Sequence, residues 1–587
     1  MKKFQLFIFV LLANISLVLG QTTIKTSSDL NGYNNIPQEK IYVHHNSSLF
    51  YTGEYMYYSV YVINSKTNAN SDISKIAYIE LVSEQKEAVI KQKIRLENGL
   101  GQGDIFFPTS IPSGNYKLIC YTNWMKNGGK DHYYHDDISV INPFQGNQKA
   151  IMDTDENIKT ADLSIKKSTK PSSVNDGIAI QVNDKSYGKR SKVSFELKTK
   201  NSDFKGGHYS LSVRKIDTVN SSESMTAEKY ATLYKSTPVN ESKSINQTFY
   251  LPELRGELYT GKVVDKETNE AVVNEKVGVS IPGEEYLLKV ANTNEKGVFY
   301  FNLEKEYTGS NAIIQVLGDQ KENYRVLLDE HQSVDYSNLT FNQFKISPRF
   351  EKLILDRSVQ SQVENGYFSV KPDSINNVQP IIPSFESRAE IYVLDDYTRF
   401  STVRETMIEI INHVSVRKVD KDQFVFHVRG YDPYIESDFD PLVIIDGLLV
   451  QDHNELVDYS AKKIKQISVV RDKYLYGSQI FDGVISMETF DGDYRSAKYG
   501  EYITNVEFFK PLTNKNYFHQ SYTDENKNNR IPDFRNQLLW EPRVELNKAE
   551  QAMHFFTSDN SGDYEIVLEG FTKKGNPVSL REVISVQ

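Results

Sequence analysis

Residues 441–489 decide how this chain is read: 441-PLVIIDGLLV-450, then, after a short polar connection of mixed helical character, 464-IKQISVVRDKYLYGSQIFDGVISMET-489. Apolar, β-branched runs of this length bounded by glycine are the pattern of buried strands. Asp446-Gly447 and Asp482-Gly483 are both expected as turns that close these runs, because Asp-Gly tolerates the positive φ of a tight hairpin. No nucleophile motif, metal-ligand spacing or phosphate-cradling glycine loop lies in the stretch. It reads as a small packed module, with Asp446, Gly447, Gly477, Asp482 and Gly483 as turn-formers rather than ligands.

The chain has 587 residues, enough for about four domains. Its 39% hydrophobic and 25% charged residues are those of a globular protein. Aromatic residues are abundant, with 37 Tyr and 30 Phe against 2 Trp, which favours strands. A net charge of -10 argues against nucleic acid as a partner, since that needs a basic face.

Lys2 and Lys3 precede an apolar run from Phe4 to Leu19, and Val18 and Gly20 place small residues before Gln21. Residues 1–20 are therefore expected to be an export signal. No cysteine follows, so a lipid anchor is not expected, and no transmembrane segment is expected in the mature chain. Cys120, in LICYTNW, is the single cysteine, so no intrachain disulfide can form. That fits a bacterial exported protein standing on its cores. Its alternating apolar surroundings mark a buried structural thiol.

Residues 36–143 run as short strands separated by Gly, Pro and Asn, the sandwich signature. Tyr51-Thr-Gly-Glu54 and the run from Gly103 to Trp124, GDIFFPTSIPSGNYKLICYTNW, resemble a macroglobulin-type domain. Residues 144–175 are polar and without period, a linker. YGKRSKVSFEL, Tyr187 to Leu197, makes 176–255 resemble a second macroglobulin-like β segment. It carries a long connection over Val219 to Thr248 with a helix-compatible middle at Met225 to Tyr234. Residues 256–335 resemble the carboxypeptidase-regulatory-like domain, a small transthyretin-like sandwich, on Gly261 to Asp265, Val277 to Ile281 and Thr293 to Phe301. Asn294 and Gly297 suit a turn between its last two strands. That resemblance implies a structural module without peptidase chemistry, of a kind found in TonB-dependent receptors of Bacteroidetes-type bacteria.

Residues 336–389 are expected to be a β-rich bridge. In 390–495 a strand leads into a helix capped by Ser401 or Thr402, with Glu405 in its first turn and Val403, Met407, Ile410 and Ile411 as its apolar stripe. Pro441 to Gly447, Ile464 to Val470, Tyr476-Gly477-Ser478 and Asp482 to Ile485 make this region resemble the plug domain of TonB-dependent receptors. About 95 residues follow, too few for a transmembrane barrel, so the expectation is a plug without a barrel of its own. Residues 496–587 resemble a macroglobulin-family β domain, on Phe534, Leu539-Trp-Glu-Pro542 and the hairpin from Phe555 to Gly570. Macroglobulins carry a Cys and Gln thioester in a later domain. The lone Cys120 lies elsewhere, so covalent protease trapping is not expected.

Asp131, His132, Tyr133, Tyr134, His135, Asp136 and Asp137 invite a metal reading, but the region reads as a strand end, where His132 and His135 point to opposite faces. A solvated polar edge is expected, and His44-His45 is a weaker candidate still. Asp524 opens a calcium-like loop, yet Asn529 and Arg535 stand where an EF-hand needs Gly and Glu. Asp395-Asp396 are adjacent, so their carboxylates diverge and form no dyad. Tyrosine-rich strands read as cross-strand pairs before they read as a glycan platform. No catalytic, cofactor-binding or metal-ligating residue is assigned.

The expected fold is mainly β and multidomain: macroglobulin-like and transthyretin-like β-sandwiches plus a small α+β plug-like domain. The expected function is that of a non-enzymatic cell-envelope protein, in the periplasm or at the outer membrane of a Gram-negative bacterium. It would dock an outer-membrane barrel or envelope complex in transport, export or assembly. The alternatives are a macroglobulin-like protease-binding or defence protein without a thioester, with its bait loop in Val219 to Thr248, and a glycan-binding accessory protein.

Overall fold

The structure, a computed structural model, describes residues 32–33, 35–129, 132–152, 174–175, 177–219, 222–234, 250–283, 286–307, 309–331, 333–375, 385–420, 423–431, 439–496, 500–524 and 530–587. The export signal, most of the 144–175 linker, much of Val219 to Thr248 and the calcium-like loop after Asp524 lie outside them. Strand accounts for 46% of the chain and helix for 13%, so the protein is mainly β, and it is multidomain. Among the described residues no helix is long and apolar enough to cross a membrane. The chain divides into two units, Arg255–Gln332 with Val378–Lys510, and Gly32–Leu254 with Ser333–Asn377 and Pro511–Gln587.

The second of these units contains two sandwiches. In the first, a sheet of Glu39–His45, Tyr55–Asn64 and Leu100–Phe106 faces a five-stranded sheet. The latter runs in the order Leu49–Tyr51, Tyr134–Ile141, Gly114–Tyr121, Ile76–Ser83, Ala88–Arg95. Ile41, Val60, Leu81, Leu118 and Val140 from both sheets fill one core. Tyrosines do much of this filling: Tyr42, Tyr58, Tyr61 and Tyr134 are fully buried in it, and Tyr121 is fully buried in a separate cluster with Tyr78 and Ile119. Their hydroxyls are held by polar partners, as a buried Tyr requires. Tyr121 donates to Glu80 (3.0 Å) and Tyr58 to Gln92 (2.7 Å).

The second sandwich corrects the expected domain map. The strands of 176–255 and of 496–587 were read as two domains, but they interleave in one. Lys192–Thr199 pairs antiparallel with Glu550–Phe556, and His208–Lys215 lies between Gln537–Glu545 and Gly562–Phe571. Val193, Leu211, Leu539, Ile566 and Leu580 share its core. Neither half has enough strands to cover its apolar face, so each completes the other.

A further correction concerns 336–389, expected as β. It contains the longest helix described, Glu351–Gly366. The helix buries Ile354, Ser358 and Ser361, spaced i, i+4, i+7, while Leu353, Leu355 and Val359 are exposed. Small serines on the inner face and leucines on the outer one erase the apolar period that signals a helix.

This helix carries Arg357 into a buried charge network. Its guanidinium donates to both oxygens of Glu54 at 2.7 Å and to Asp217, and it lies 4.1 Å over the Tyr51 ring. Arg214 reaches Glu54 at 3.4 Å. Burial pushes the Glu54 carboxyl up, but Arg357 and Arg214 outweigh it and hold it below its usual range. Burial prevails at Asp217, whose carboxyl stays raised beside the same arginines.

In the other unit, Val298–Leu303, Glu257–Asp265 and Tyr324–Leu328 form one sheet of a small sandwich. Leu287–Asn292, Lys276–Ile281, Asn311–Leu317 and Ile503–Glu507 form the other. The last strand had been assigned to the C-terminal domain; it pairs Asn311 with Glu507 and brings Tyr502 and Phe508 into this core. Asn294 and Gly297 do make a turn, with the Gly297 N–H on the Asn294 carbonyl (2.9 Å), but it joins strands of the two facing sheets. Next to the sandwich stands the α+β module: Glu390–Val393, Ile464–Tyr476, Gln479–Thr489, Leu442–Ile445 and Leu448–Leu449, in that order. Its short helix Val403–Glu409 starts in a capping box. Thr402 Oγ1 accepts from the Glu405 N–H, and the Glu405 carboxylate accepts from the Thr402 N–H, both at 3.2 Å.

Removing one partner from a buried ion pair costs about 3–5 kcal/mol. Arg357→Ala is expected to lower the stability of the two-sandwich unit by about 3 kcal/mol, read as a shifted midpoint in urea.

Candidate functional site

The opening stretch folds around Asp446. Asp446 and Gly447 have φ of 49° and 83°, and Ile445 pairs with Leu448, so the two residues form the loop of a tight hairpin. The Asp446 carboxylate is buried and accepts from the Thr489 N–H (2.8 Å), the Thr489 hydroxyl (2.6 Å) and the Tyr494 N–H (3.0 Å). It ties the hairpin loop to the far end of Gln479–Thr489, so its role is structural. Gly447 is required twice: by its φ, and because a Cβ there would stand 2.0 Å from Cβ of Tyr286.

Asp482-Gly483 is not a turn. Both residues lie within Gln479–Thr489, where Gly483, at φ 94°, faces Arg471 and Asp472 together, a β-bulge. The turn sits at Gly477-Ser478, between the paired Tyr476 and Gln479. Gly447 in the loop and Gly483 opposite the bulge both take positive φ, so the same Asp-Gly dipeptide does not separate the two in local sequence.

One face of this five-stranded sheet packs on Val403, Met407, Leu456 and Val457 of its own helices. The other packs on Leu288, Val290 and Leu317 of the neighbouring small sandwich. Among the described residues the outer strand Glu390–Val393 pairs on one side only, with Ile464–Tyr476. Ile391 is 50% and Val393 40% exposed, and they stand opposite Ser468 and Gln466. These two β-branched side chains therefore have no apolar cross-strand partner in the sheet. Tyr397 and Phe490 are exposed nearby in the fold, and Arg399 lies 5.1 Å over the Phe490 ring. Asp395 orients Arg399 at 2.7 and 2.8 Å, and Arg399 in turn donates to the carbonyls of Ala461 (3.0 Å) and Ile464 (2.9 Å). Asp395 thus serves to fix the corner beside the edge strand.

The region around His132 is not a solvated edge. His132, Tyr134 and Asp136 are buried. Asp136 Oδ2 accepts from His45 Nε2 (2.9 Å), the Tyr134 hydroxyl (3.2 Å) and the Met225 N–H (2.7 Å). The pattern missed this because His45 is 91 residues away in sequence. His44 points elsewhere: its Nδ1 is 2.6 Å from Ser210 Oγ, which also receives the Tyr61 hydroxyl (2.8 Å). A serine beside a histidine is the pairing of a nucleophile and its base. Here Ser210 has 0% exposure, and burial, helped by His45, pushes His44 down to about 3. The pair is a sealed polar contact between the two sandwiches. Cys120 is likewise buried, with its thiol pushed well up by burial and by Glu80. Among the described residues no cluster of three His, Cys, Asp or Glu side chains is placed to hold a metal ion.

No protein-family model matches the chain, and no curated protein matches it. Among solved structures it is similar to the α2-macroglobulin of Salmonella reacted with methylamine. That match has 9% identity over 93% of this chain and 39% of that one, with a TM-score of 0.23. The native conformation of the Escherichia coli α2-macroglobulin gives 10% identity, 94% and 40% coverage, and a TM-score of 0.24. The E. coli adhesin FdeC gives 9% identity, 49% and 63% coverage, and a TM-score of 0.14. The chain spans about two-fifths of the length of these macroglobulins. At such scores the likeness stands as a description and says nothing of activity or partners.

Two outcomes follow from this geometry. Gly447→Ala is expected to destabilise its unit by about 3 kcal/mol or more, through strain at positive φ and the clash with Tyr286, measured by thermal denaturation. Cys120 is expected to resist a maleimide in the native protein at pH 7 and to react fully in denaturant.

Proposed function

We propose that this chain is a non-enzymatic component of a bacterial cell envelope that docks an outer-membrane partner in transport, export or assembly. The observation that carries this reading is the strand Glu390–Val393, with one side unpaired among the described residues and Ile391 and Val393 exposed. An open edge of this kind accepts an extended segment of another chain: main-chain hydrogen bonds give affinity, and alternate apolar side chains fix the register. The occupant is an extended strand with apolar residues at every second position, laid beside Ile391 and Val393. The support is mechanical as well. The edge is backed by a sheet covered on both faces, so it is rigid before a partner arrives, and little ordering is required on the host side.

The tyrosines speak against a glycan platform, since Tyr42, Tyr58, Tyr61 and Tyr209 fill cores. The bait loop required by a protease-binding reading falls mostly outside the described residues.

The test is affinity purification of the tagged chain from detergent-solubilised envelopes. A barrel or other envelope protein is expected in stoichiometric amount with the natural chain. With Val393→Pro, which removes a main-chain donor and adds no charge, or Ile391→Lys, recovery is expected to fall at least tenfold while the melting temperature changes little. Recovery of the natural chain alone would overturn the proposal.

A further inference from the structure

The segment Ser222–Tyr234, which ends in the helix Ala227–Tyr234, lies over the seam between the two sandwiches and is held there by two buried carboxylates from different sheets. Asp136, in Tyr134–Ile141 of the first sandwich, accepts from the Met225 N–H at 2.7 Å. Glu569, in Gly562–Phe571 of the second, accepts from the Ala227 N–H at 2.7 Å. The Ser579 hydroxyl, from the next strand, donates to Glu569 at 2.6 Å and accepts from the Glu228 N–H at 3.2 Å. The Tyr42 hydroxyl stands 3.1 Å from the Met225 carbonyl and 3.2 Å from Glu569 Oε2, so it touches segment and anchor alike. Apolar contact is limited to a few residues: Ala227 is fully buried, and the Tyr230 ring lies 5.3 Å from Tyr42 and 6.4 Å from Phe571. Leu233, a turn on, is exposed. An eight-residue helix has little stability of its own, so its place depends on these anchors.

We propose that Ser222–Tyr234 is a releasable strap whose docking is gated by one proton on Glu569, with Asp136 as its permanent anchor.

The two carboxylates differ in their surroundings. Burial pushes Asp136 up, but the bonds from His45, Met225 and Asp137 outweigh it and hold the carboxyl below its usual range, so it remains a carboxylate near neutral pH. Among the described residues no cation is paired with Glu569. Tyr42 from Glu39–His45, Ser579 from Pro577–Val586 and the strap's Ala227 N–H face its carboxyl. Tyr61 from Tyr55–Asn64 donates to its main-chain oxygen at 3.4 Å, and Glu228 on the strap is a like charge. Burial dominates and lifts Glu569 to about 7, with Glu228 adding to the rise and the bonds from Ser579, Ala227 and Tyr42 opposing it.

Undocking would let water reach this carboxyl and return it toward the ordinary range of about 4–4.5. The docked state therefore binds the proton more tightly than the undocked one. By linkage, docking is favoured at low pH, weakens by up to about tenfold for each unit that pH rises from that ordinary range to about 7, and levels off above about 7, once the docked carboxyl has lost its proton. On ionisation the proton passes to solvent, and the bare carboxylate gains more from water than from three neutral donors in an apolar seam.

Amide hydrogen exchange of the full chain, corrected for intrinsic rates, reads the opening equilibrium of this segment directly. Between pH 6 and 8, protection of the Met225 to Tyr234 amides is expected to fall several-fold, most steeply below pH 7 and levelling off above it, while amides of Lys192–Thr199 keep theirs. Glu569→Gln, neutral and of the same shape, is expected to flatten the profile. Ser579→Ala, which removes a donor that holds the carboxyl down, is expected to move the midpoint to higher pH. Unchanged protection of the natural chain from pH 6 to 8 would overturn the proposal, whether or not the variants fold. So would an equal loss in Glu569→Gln.

Discussion

Arg357, buried between Glu54 and Asp217 with Arg214 alongside, is the interaction on which the two-sandwich unit depends. Its four members come from a turn of the first sandwich, a strand of the second, the loop after that strand, and the long helix. Arg214 and Asp217 are neighbours in sequence, but Glu54 and Arg357 each stand well over a hundred positions from them. Charges taken out of water are tolerable only where each meets its counterpart in good geometry. The network therefore specifies one arrangement of helix and sandwiches, where apolar contacts alone would allow several. Glu80, Glu39 and Asp136 repeat the device on a smaller scale. Each is a buried carboxylate surrounded by hydroxyl or N–H donors from distant segments: Tyr121, Tyr336 and Ser333 on Glu80, and Ser71, Ser74 and Thr122 on Glu39.

Much of the architecture was legible in the sequence, because strand periodicity and turn chemistry are local. The runs around Val443, Val469 and Ile485 are strands, Asp446-Gly447 is a hairpin loop, and Thr402 with Glu405 caps the helix that follows. Partner choice was less legible. That Lys192–Thr199 lies beside Glu550–Phe556, some 350 positions later, is recorded in no window of either segment. The bulge at Gly483 and the loop at Gly447 use the same dipeptide, so only the register of the partner strand distinguishes them. The helix Glu351–Gly366 escaped because its buried face is built from serines, whose contribution is closeness of approach rather than hydrophobicity.

The candidate site divides in the same way. The sequence marked the plug-like stretch as a docking module but placed no residue at its working surface. Ile391 and Val393 become noticeable only when the sheet order puts them on an outer strand opposite Ser468 and Gln466. Of the residues from Asp131 to Asp137 that drew attention in sequence, His132, Tyr134 and Asp136 are internal. Their signal, paired with His45, is a long-range contact between a strand start and a strand end.

The shared second sandwich also sets an order on how the protein comes into being. Its pairings join strands within 192–215 to strands within 550–571, with the other unit encoded between them. A strand made early must wait, with one edge and one apolar face uncovered, until residues 550–571 have been made. Loop closure over such a distance adds little to the final free energy, since each doubling of length costs only about 0.6 kcal/mol. It weighs instead on time, because high contact order slows the search and prolongs the exposure of unpaired edges. Maturation of this molecule is therefore governed less by the stability it reaches than by what guards Lys192–Thr199 in the interval.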